Sequence, residues 1–321
     1  MVNLSLTSEY LVYESEVINS LHSLLYERVK NMTKLVKGYT LMHEHITIDL
    51  SGVKNDIDCR LDCYEETLEE FKQLYLNGVR NIVDVTNRGM GLNRNYVEKI
   101  SKESGINIIQ ATGFYKVPFL PEDLINKTVQ EIADEMIRDI ESDTNIGIIG
   151  EIGTSLNEWK AEELKVFDAA IIAHNKTDKA IYTHTTIGTL GLEQAQYFIS
   201  KNIDPKRVVI GHMDLSKDIN IIKQVIDLGF FVGFDTIGKN DYFPDDKRIE
   251  FLRELEKTNR IHRVVLSEDL TRKSHLNYKG GIGYNYIFTE FIPRLRNAGM
   301  KESSIEQMLI TNPEIVFSES K

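Results

Sequence analysis

Tyr39-Thr40-Leu41-Met42-His43-Glu44-His45-Ile46-Thr47-Ile48-Asp49 opens as an apolar run and leads into two histidines separated by one residue. Successive side chains of a strand point to opposite faces, so residues i and i+2 share one. Read as a strand, the stretch presents His43 and His45 side by side toward one point and turns Glu44 away. Two neutral imidazoles converging at the end of a buried strand suit a divalent metal ion. An isolated His-x-His is more often chance or core filling, so the rest of the chain has to decide.

Seven further short, β-branched-rich runs follow with an average period of a little over 30 residues, a spacing that suits strand-plus-helix units. They are Asn81–Thr86, Ile106–Ala111, Ile146–Glu151, Ala180–His184, Arg207–His212, Phe230–Asp235 and Arg263–Asp269. Longer amphipathic stretches lie between them, among them Val129–Ile140, Glu162–His174 and Asp246–Glu256, and these fit helices. Near-continuous hydrophobic strands alternating with helices mean a parallel sheet covered on both faces. Eight such units predict a closed (β/α)8 TIM barrel, with a doubly wound sheet as the weaker alternative. No Gly-x-Gly-x-x-Gly follows the first strand, which counts against a dinucleotide fold.

Barrel enzymes place their chemistry at the C-terminal ends of the strands. His43 and His45 end the first expected strand, Glu151 the fourth, His184 the fifth, His212 the sixth and Asp269 the eighth. Taken singly, each has a plainer reading. His184 or His212 could be a satisfied core histidine, Glu151 a helix-cap partner, Asp269 a loop residue. Six potential ligands at matching positions on five strands read together as a metal site. His22, His174, His262 and His275 fall in helices, at a strand start or in a loop and are left out of that set.

The chain has 321 residues, 41% hydrophobic and 27% charged, enough to bury a large core. A net charge of -11 and a pI near 5.3 argue against a nucleic-acid surface or an anionic membrane as partner. The first twenty residues hold Glu9, Glu14 and Glu16 and no Lys or Arg, unlike a signal peptide, and no run approaches a membrane span. A cytoplasmic protein is therefore expected. Cys59 and Cys63, four apart, could share a helix face and are read as reduced, with no disulfide role. Residues 1–37 carry an approximate helical stripe and are expected to form an appendage to a hydrolase domain over 38–321. Met32 offers an alternative start.

At this point the sequence resembles the phosphotriesterase-like family of the amidohydrolase superfamily, and most of all its phosphotriesterase homology protein branch. The likeness runs from about Gly38 to about Phe317. It is carried by Leu41-Met42-His43-Glu44-His45, Gly150-Glu151-Ile152-Gly153-Thr154-Ser155, Thr183-His184-Thr185 and Gly211-His212-Met213-Asp214-Leu215. It continues in Phe234-Asp235-Thr236-Ile237-Gly238-Lys239-Asn240, in the run Ser267 to His275, in Gly280-Gly281-Ile282-Gly283-Tyr284 and in Asn312-Pro313-Glu314-Ile315-Val316-Phe317.

The resemblance implies two divalent ions, zinc first, although mixed His/carboxylate sites also take manganese, cobalt or iron. His43, His45 and Asp269 would hold the more buried ion, and His184 and His212 the more exposed one. Glu151 would bridge them where many relatives use a carboxylated lysine. A binuclear hydrolase follows, in which a bridging hydroxide attacks an ester and Asp269 passes its proton to the leaving group. The first expected substrate is a phosphorylated sugar lactone, with other phosphoesters or carboxylesters as alternatives. A non-catalytic metal-binding barrel and a mononuclear deaminase remain as further readings. Lys239, Arg272 and Tyr278 are the expected anion clamp, with Tyr115 and His275 beside them. Arg272 paired with Glu268 or Asp235 is the purely structural alternative. By analogy with the family a homodimer is expected.

Overall fold

The computed structural model describes residues 35–318. Most of the expected N-terminal appendage, His22 included, lies outside the described residues. Eight parallel strands form one sheet in chain order: β1 (Tyr39–Glu44), β2 (Val79–Asp84), β3 (Asn107–Thr112), β4 (Ile146–Thr154), β5 (Ala180–Thr185), β6 (Val208–Ile210), β7 (Phe231–Phe234) and β8 (Val264–Leu266). Helices α1 (Tyr64–Leu76), α2 (Arg94–Ser104), α3 (Val129–Ser142), α4 (Ala161–Thr177), α5 (Gly191–Ser200), α6 (Ile219–Asp227) and α7 (Asp245–Lys257) connect successive strands. The order never reverses, which rules out the doubly wound alternative and makes this a (β/α)8 barrel.

The local sequence explains the helix boundaries. Thr128 caps α3, its hydroxyl accepting from the Glu131 N–H while the Glu131 carboxylate accepts from the Thr128 N–H. The α2 helix starts on Asn93, which accepts from the Tyr96 N–H, and ends on Gly105 in the left-handed conformation. Among the described residues no helix is long and apolar enough to cross a membrane.

Two buried layers result. Leu41, Ile82, Ile149, Ile181 and Ile210 face outward onto the helices. Met42, Val83, Ile109, Ile148, Tyr182, Val209, Phe231 and Val265 fill the barrel interior, where Val316 also packs. Leu41 and His43 are therefore not on a common face, against simple alternation. The register gives the reason. Leu41 stands opposite Ile82 and Glu44 opposite Asp84, so β1 carries one more residue than its partner between these points. Such a bulge re-aims the side chains beyond it, and both Met42 and His43 face the interior. A second bulge sits in β4, where Ile149 pairs Ile181 and Ile152 pairs Thr183. It turns Glu151 inward between the outward-facing Ile149 and Ile152.

The seam between β1 and β8 is closed differently. Among the described residues no backbone ladder joins them, and side chains do so instead. The Ser267 hydroxyl accepts from the His43 N–H at 2.8 Å, and the Glu44 carboxylate accepts from the N–H groups of Glu268 and Leu270.

The cysteines are not on one helix face. Cys59 is buried in the core at the end of a tight turn (Ile57–Cys59), Cys63 precedes α1, and both are free thiols. A strand too short to reach His212 or Asp269 ends β6 and β8 early. Both residues lie in the following loops with left-handed backbone, φ 55° and 51°.

Candidate metal centre

The strand ends and the two bulges deliver six side chains to one place. His45 Nε2 lies 3.4 Å from Glu151 Oε1 and 3.3 Å from Asp269 Oδ1. His43 Nε2 lies 3.7 Å from Glu151 Oε2 and 3.6 Å from Asp269 Oδ1. His184 Nδ1 is 3.0 Å and His212 Nε2 3.7 Å from Glu151 Oε2, with 2.9 Å between the two imidazole nitrogens. All six sequence-derived ligand candidates thus converge. The donors fall into two tight groups, His43/His45/Asp269 and His43/Glu151/His212, with the ligand atoms of each within 4.8 Å of one another.

The residues fit a cation. Both ring nitrogens of His43 and Nε2 of His45 are buried with no hydrogen-bond partner among the described residues. Leaving buried polar atoms unpaired is costly, and imidazole nitrogens facing two carboxylates are what a divalent ion requires. Burial alone would raise the Glu151 carboxyl, but the charge of His43 and hydrogen bonds from His184, His212 and His45 hold it well below the usual carboxylate range. Asp269 is likewise held low against its burial, by Lys239 first and then by His43 and His45. Burial would lower His45, yet Asp269 and Glu151 pull it up to about 9. The same two carboxylates that attract a proton there attract a metal ion, and the two compete. Burial and the His212 charge push His184 down to about 4, which keeps it neutral and able to donate a lone pair.

Supporting partners orient the rings. His45 Nδ1 lies 2.8 Å from the Thr86 hydroxyl. His212 is gripped by Asp235, which accepts from its backbone N–H at 2.9 Å and contacts ring Nδ1 at 2.7 Å, while the Tyr182 hydroxyl donates to the other carboxylate oxygen. Asp235 is thus a partner of His212 and not of Arg272. The role of Asp235 was missed in the sequence. Its position just past β7 is the same strand-end signal that singled out the ligands.

A cavity of about 220 Å³ opens over these residues, lined by His45, Glu151, His184, His212 and Asp269. Tyr115, Lys116, Lys54 and Lys239 also line it. The Tyr115 hydroxyl is 3.2 Å from His184, and Lys239 Nζ donates to Asp269 Oδ2 at 2.5 Å and to its backbone carbonyl. A second cavity of about 590 Å³ shares Lys239 and Tyr242 with the first and is lined by Arg272 and His275.

The expected clamp is only partly assembled. Lys239 and Tyr115 reach the metal-side cavity, and Arg272 and His275 the neighbouring one. Tyr278 reaches neither: it is exposed, with its hydroxyl 3.2 Å from Cys63 Sγ. Arg272 pairs with Asp56 at 2.6 Å and Asp58 at 3.5 Å, not with Glu268 or Asp235. Those acids lie on a turn some 215 residues earlier in the chain, a pairing that spacing does not disclose. Lys54 and Lys116 carry no ion pair among the described residues and were not part of the expected clamp.

Comparison with known proteins gives these features a lineage. The phosphotriesterase homology protein of Escherichia coli is 46% identical over 285 residues, covering 87% of this chain and 98% of the relative. Its crystal structure, with phosphate in the active site, superposes with a TM-score of 0.85 over 88% of this chain and 99% of that one. An aryldialkylphosphatase of Saccharolobus solfataricus is 32% identical, covering 88% of this chain and 95% of the relative. A phospho-furanose lactonase of Mycoplasmopsis synoviae is 27% identical, covering 88% of each. The profile of the Phosphotriesterase family matches residues 29–317, and with the 46% identical relative it establishes that this chain belongs to the phosphotriesterase family.

Proposed function

We propose that this family hydrolase cleaves an ester bond with two divalent ions held by His43, His45, Glu151, His184, His212 and Asp269, and that its substrate is an anionic, phosphorylated sugar lactone. The observation that carries the reading is the convergence of buried, unpartnered imidazole nitrogens on two carboxylates at the floor of a cavity. When bound, such ions supply an acidified water and polarise the oxygen of the scissile group. Zinc is the first candidate for both positions.

The protein's own groups perform the remaining tasks. Glu151 and Asp269 hold negative charge against burial and so hold cations. Asp269 Oδ1 faces His43 and His45, which makes it the carboxylate oxygen placed to accept a proton from the attacking water and return it to the leaving oxygen. Lys239 steadies the other oxygen, Oδ2. Tyr115, Phe119 and Ile187 give the cavity apolar walls, which bind the carbon skeleton and exclude bulk water.

An anionic substrate suits the cations around the two cavities in a chain of net charge -11. The Lys116 ammonium stands over the Tyr115 and Phe119 rings and makes no close ion pair among the described residues, although Glu163 and Glu151 attract it from farther away. Arg272 presents to the neighbouring cavity a guanidinium part of whose donor set is engaged by Asp56. The phosphate in the active site of the Escherichia coli relative and the name of the phospho-furanose lactonase support the same class.

The test is hydrolysis followed by pH indicator on zinc-loaded protein. The panel holds sugar lactones with and without a terminal phosphate, acyl-homoserine lactones and an activated phosphotriester. Turnover confined to phosphorylated lactones is expected. Equal turnover of the unphosphorylated lactones would remove the anion requirement, and no hydrolysis by the metal-loaded protein would remove the reading.

A further inference from the structure

Glu44 lies between the two histidines of the opening strand, yet its side chain enters neither cavity. It is completely buried and points across the β1–β8 seam. There its Oε1 accepts from the Glu268 N–H at 2.7 Å and its Oε2 from the Leu270 N–H at 3.3 Å. The residue between those two amides is Asp269, whose backbone is left-handed at φ 51°. A non-glycine residue held there costs free energy and needs its surroundings to maintain it. No β1–β8 ladder is present among the described residues to do so. On the metal side, Asp269 Oδ1 meets His43 and His45, the two neighbours of Glu44 in the chain.

We propose that Glu44 is a positioning residue for Asp269: its carboxylate clamps the amides on both sides of Asp269 and, with Lys239 holding the Asp269 carbonyl and Oδ2, aims that side chain at His43 and His45. One peptide segment, His43-Glu44-His45, then supplies two ligands on one face and orients a third from the other. The pleat makes this possible, because residues i and i+2 face one way and i+1 the other. A carboxylate suits this place, since its planar fork presents a separate acceptor oxygen to each of the two N–H donors. In Glu44→Gln one oxygen is replaced by an NH₂ group, which confronts an N–H and leaves one amide without an acceptor.

The inference rests on the metal-centre reading, and the experiment keeps the two apart. The full-length protein is stripped with chelator and titrated with cobalt(II), following the visible absorption bands that report ligand geometry. If the wild-type protein shows no cobalt bands, the metal reading itself fails. With wild-type binding established, Glu44→Gln is expected to shift those bands and weaken binding roughly ten- to a hundredfold, the usual scale for groups that orient ligands. A purely structural role would lower the melting temperature without moving the spectrum.

Asp269→Asn provides the decisive comparison. Because Glu44 acts through Asp269, the double variant should bind cobalt no more weakly than Asp269→Asn alone. Full additivity of the two losses, or a folded Glu44→Gln protein with wild-type bands and affinity, overturns the proposal. If Glu44→Gln does not fold, hydrogen exchange on the wild-type protein decides. The peptide 266–272 should stay protected after chelation, because Glu44 rather than the metal holds it. Rapid exchange there once the metal is removed would overturn the proposal equally.

Discussion

Asp235 holds His212 twice, accepting its backbone N–H at 2.9 Å and contacting ring Nδ1 at 2.7 Å, which turns Nε2 toward Glu151. The carboxylate is itself drawn down to about 2, since the charge and hydrogen bonds of His212 outweigh the effect of burial. Asp235→Asn keeps the shape of this contact but loses its charge. Metal affinity is expected to fall roughly ten- to a hundredfold, with the far-ultraviolet circular dichroism unchanged. Equilibrium dialysis with zinc measures it, and affinity equal to wild type would show that His212 needs no such support.

His43 belongs to both tight donor groups and His184 to neither. Metal content per chain should therefore respond unequally. His43→Ala is expected to lose both ions, whereas His184→Ala retains at least one. Elemental analysis after gel filtration reads this directly, and equal losses in the two variants would contradict the asymmetry.

Gly150 adjoins Glu151 in the bulge of β4 at φ 140°, and a Cβ there would stand 2.2 Å from the Tyr182 carbonyl oxygen. Backbone cannot yield as a flexible side chain does. Gly150→Ala is expected to cost about 3 kcal/mol or more, at the upper end for point substitutions, and to reduce metal content as Glu151 is displaced. Urea unfolding and metal analysis check the two parts separately.

Arg272 binds Asp56 and Asp58, and Ser274 donates to Asp58, so these contacts tie the loop after β8 to the turn before α1. If the guanidinium also contacts the anionic part of the substrate, Arg272→Ala should raise KM for phosphorylated lactones at least tenfold, with kcat much less changed. Lys116→Met should do the same without disturbing the loop. Unchanged KM in both variants would place the anion elsewhere.

His174, remote in α4, is buried, and its Nδ1 lies 2.7 Å from the Lys179 carbonyl. Burial, aided by the Arg207 charge, lowers its pKa below the usual value of 6.5. Below that pH the unfolded chain takes up a proton that the folded chain resists, so this histidine's contribution is present above 6.5 and is lost on acidification toward the folded value. Between pH 7.5 and 5, His174→Gln should therefore lose less stability than the wild-type protein. Parallel urea titrations at the two pH values measure the difference.

Much of this organisation was legible in the chain. Hydrophobic runs at regular spacing disclosed all eight strands, because a parallel sheet covered on both faces needs apolar residues at nearly every position. Polar residues closing those runs disclosed the six convergent side chains, because barrel strands all end at one rim. The boundaries were less legible. Observed β4 runs three residues past Glu151, while β6 and β8 stop short of His212 and Asp269.

What the sequence by itself determined is the barrel, the rim and the set of residues gathered there, since periodicity and strand-end position are local properties of a chain. Only the tertiary structure decided which way those residues point and what they touch. The bulges that turn His43 and Glu151 inward exist only relative to the neighbouring strand's register. The Glu44 clamp on Asp269, the Asp235 grip on His212 and the pairing of Arg272 with Asp56 join residues between 23 and 226 positions apart. Their hydrogen bonds depend on distances that no local pattern encodes: the Asp235 grip arises where neighbouring strands end side by side, and the other two only when closure of the barrel brings its first and last strands together.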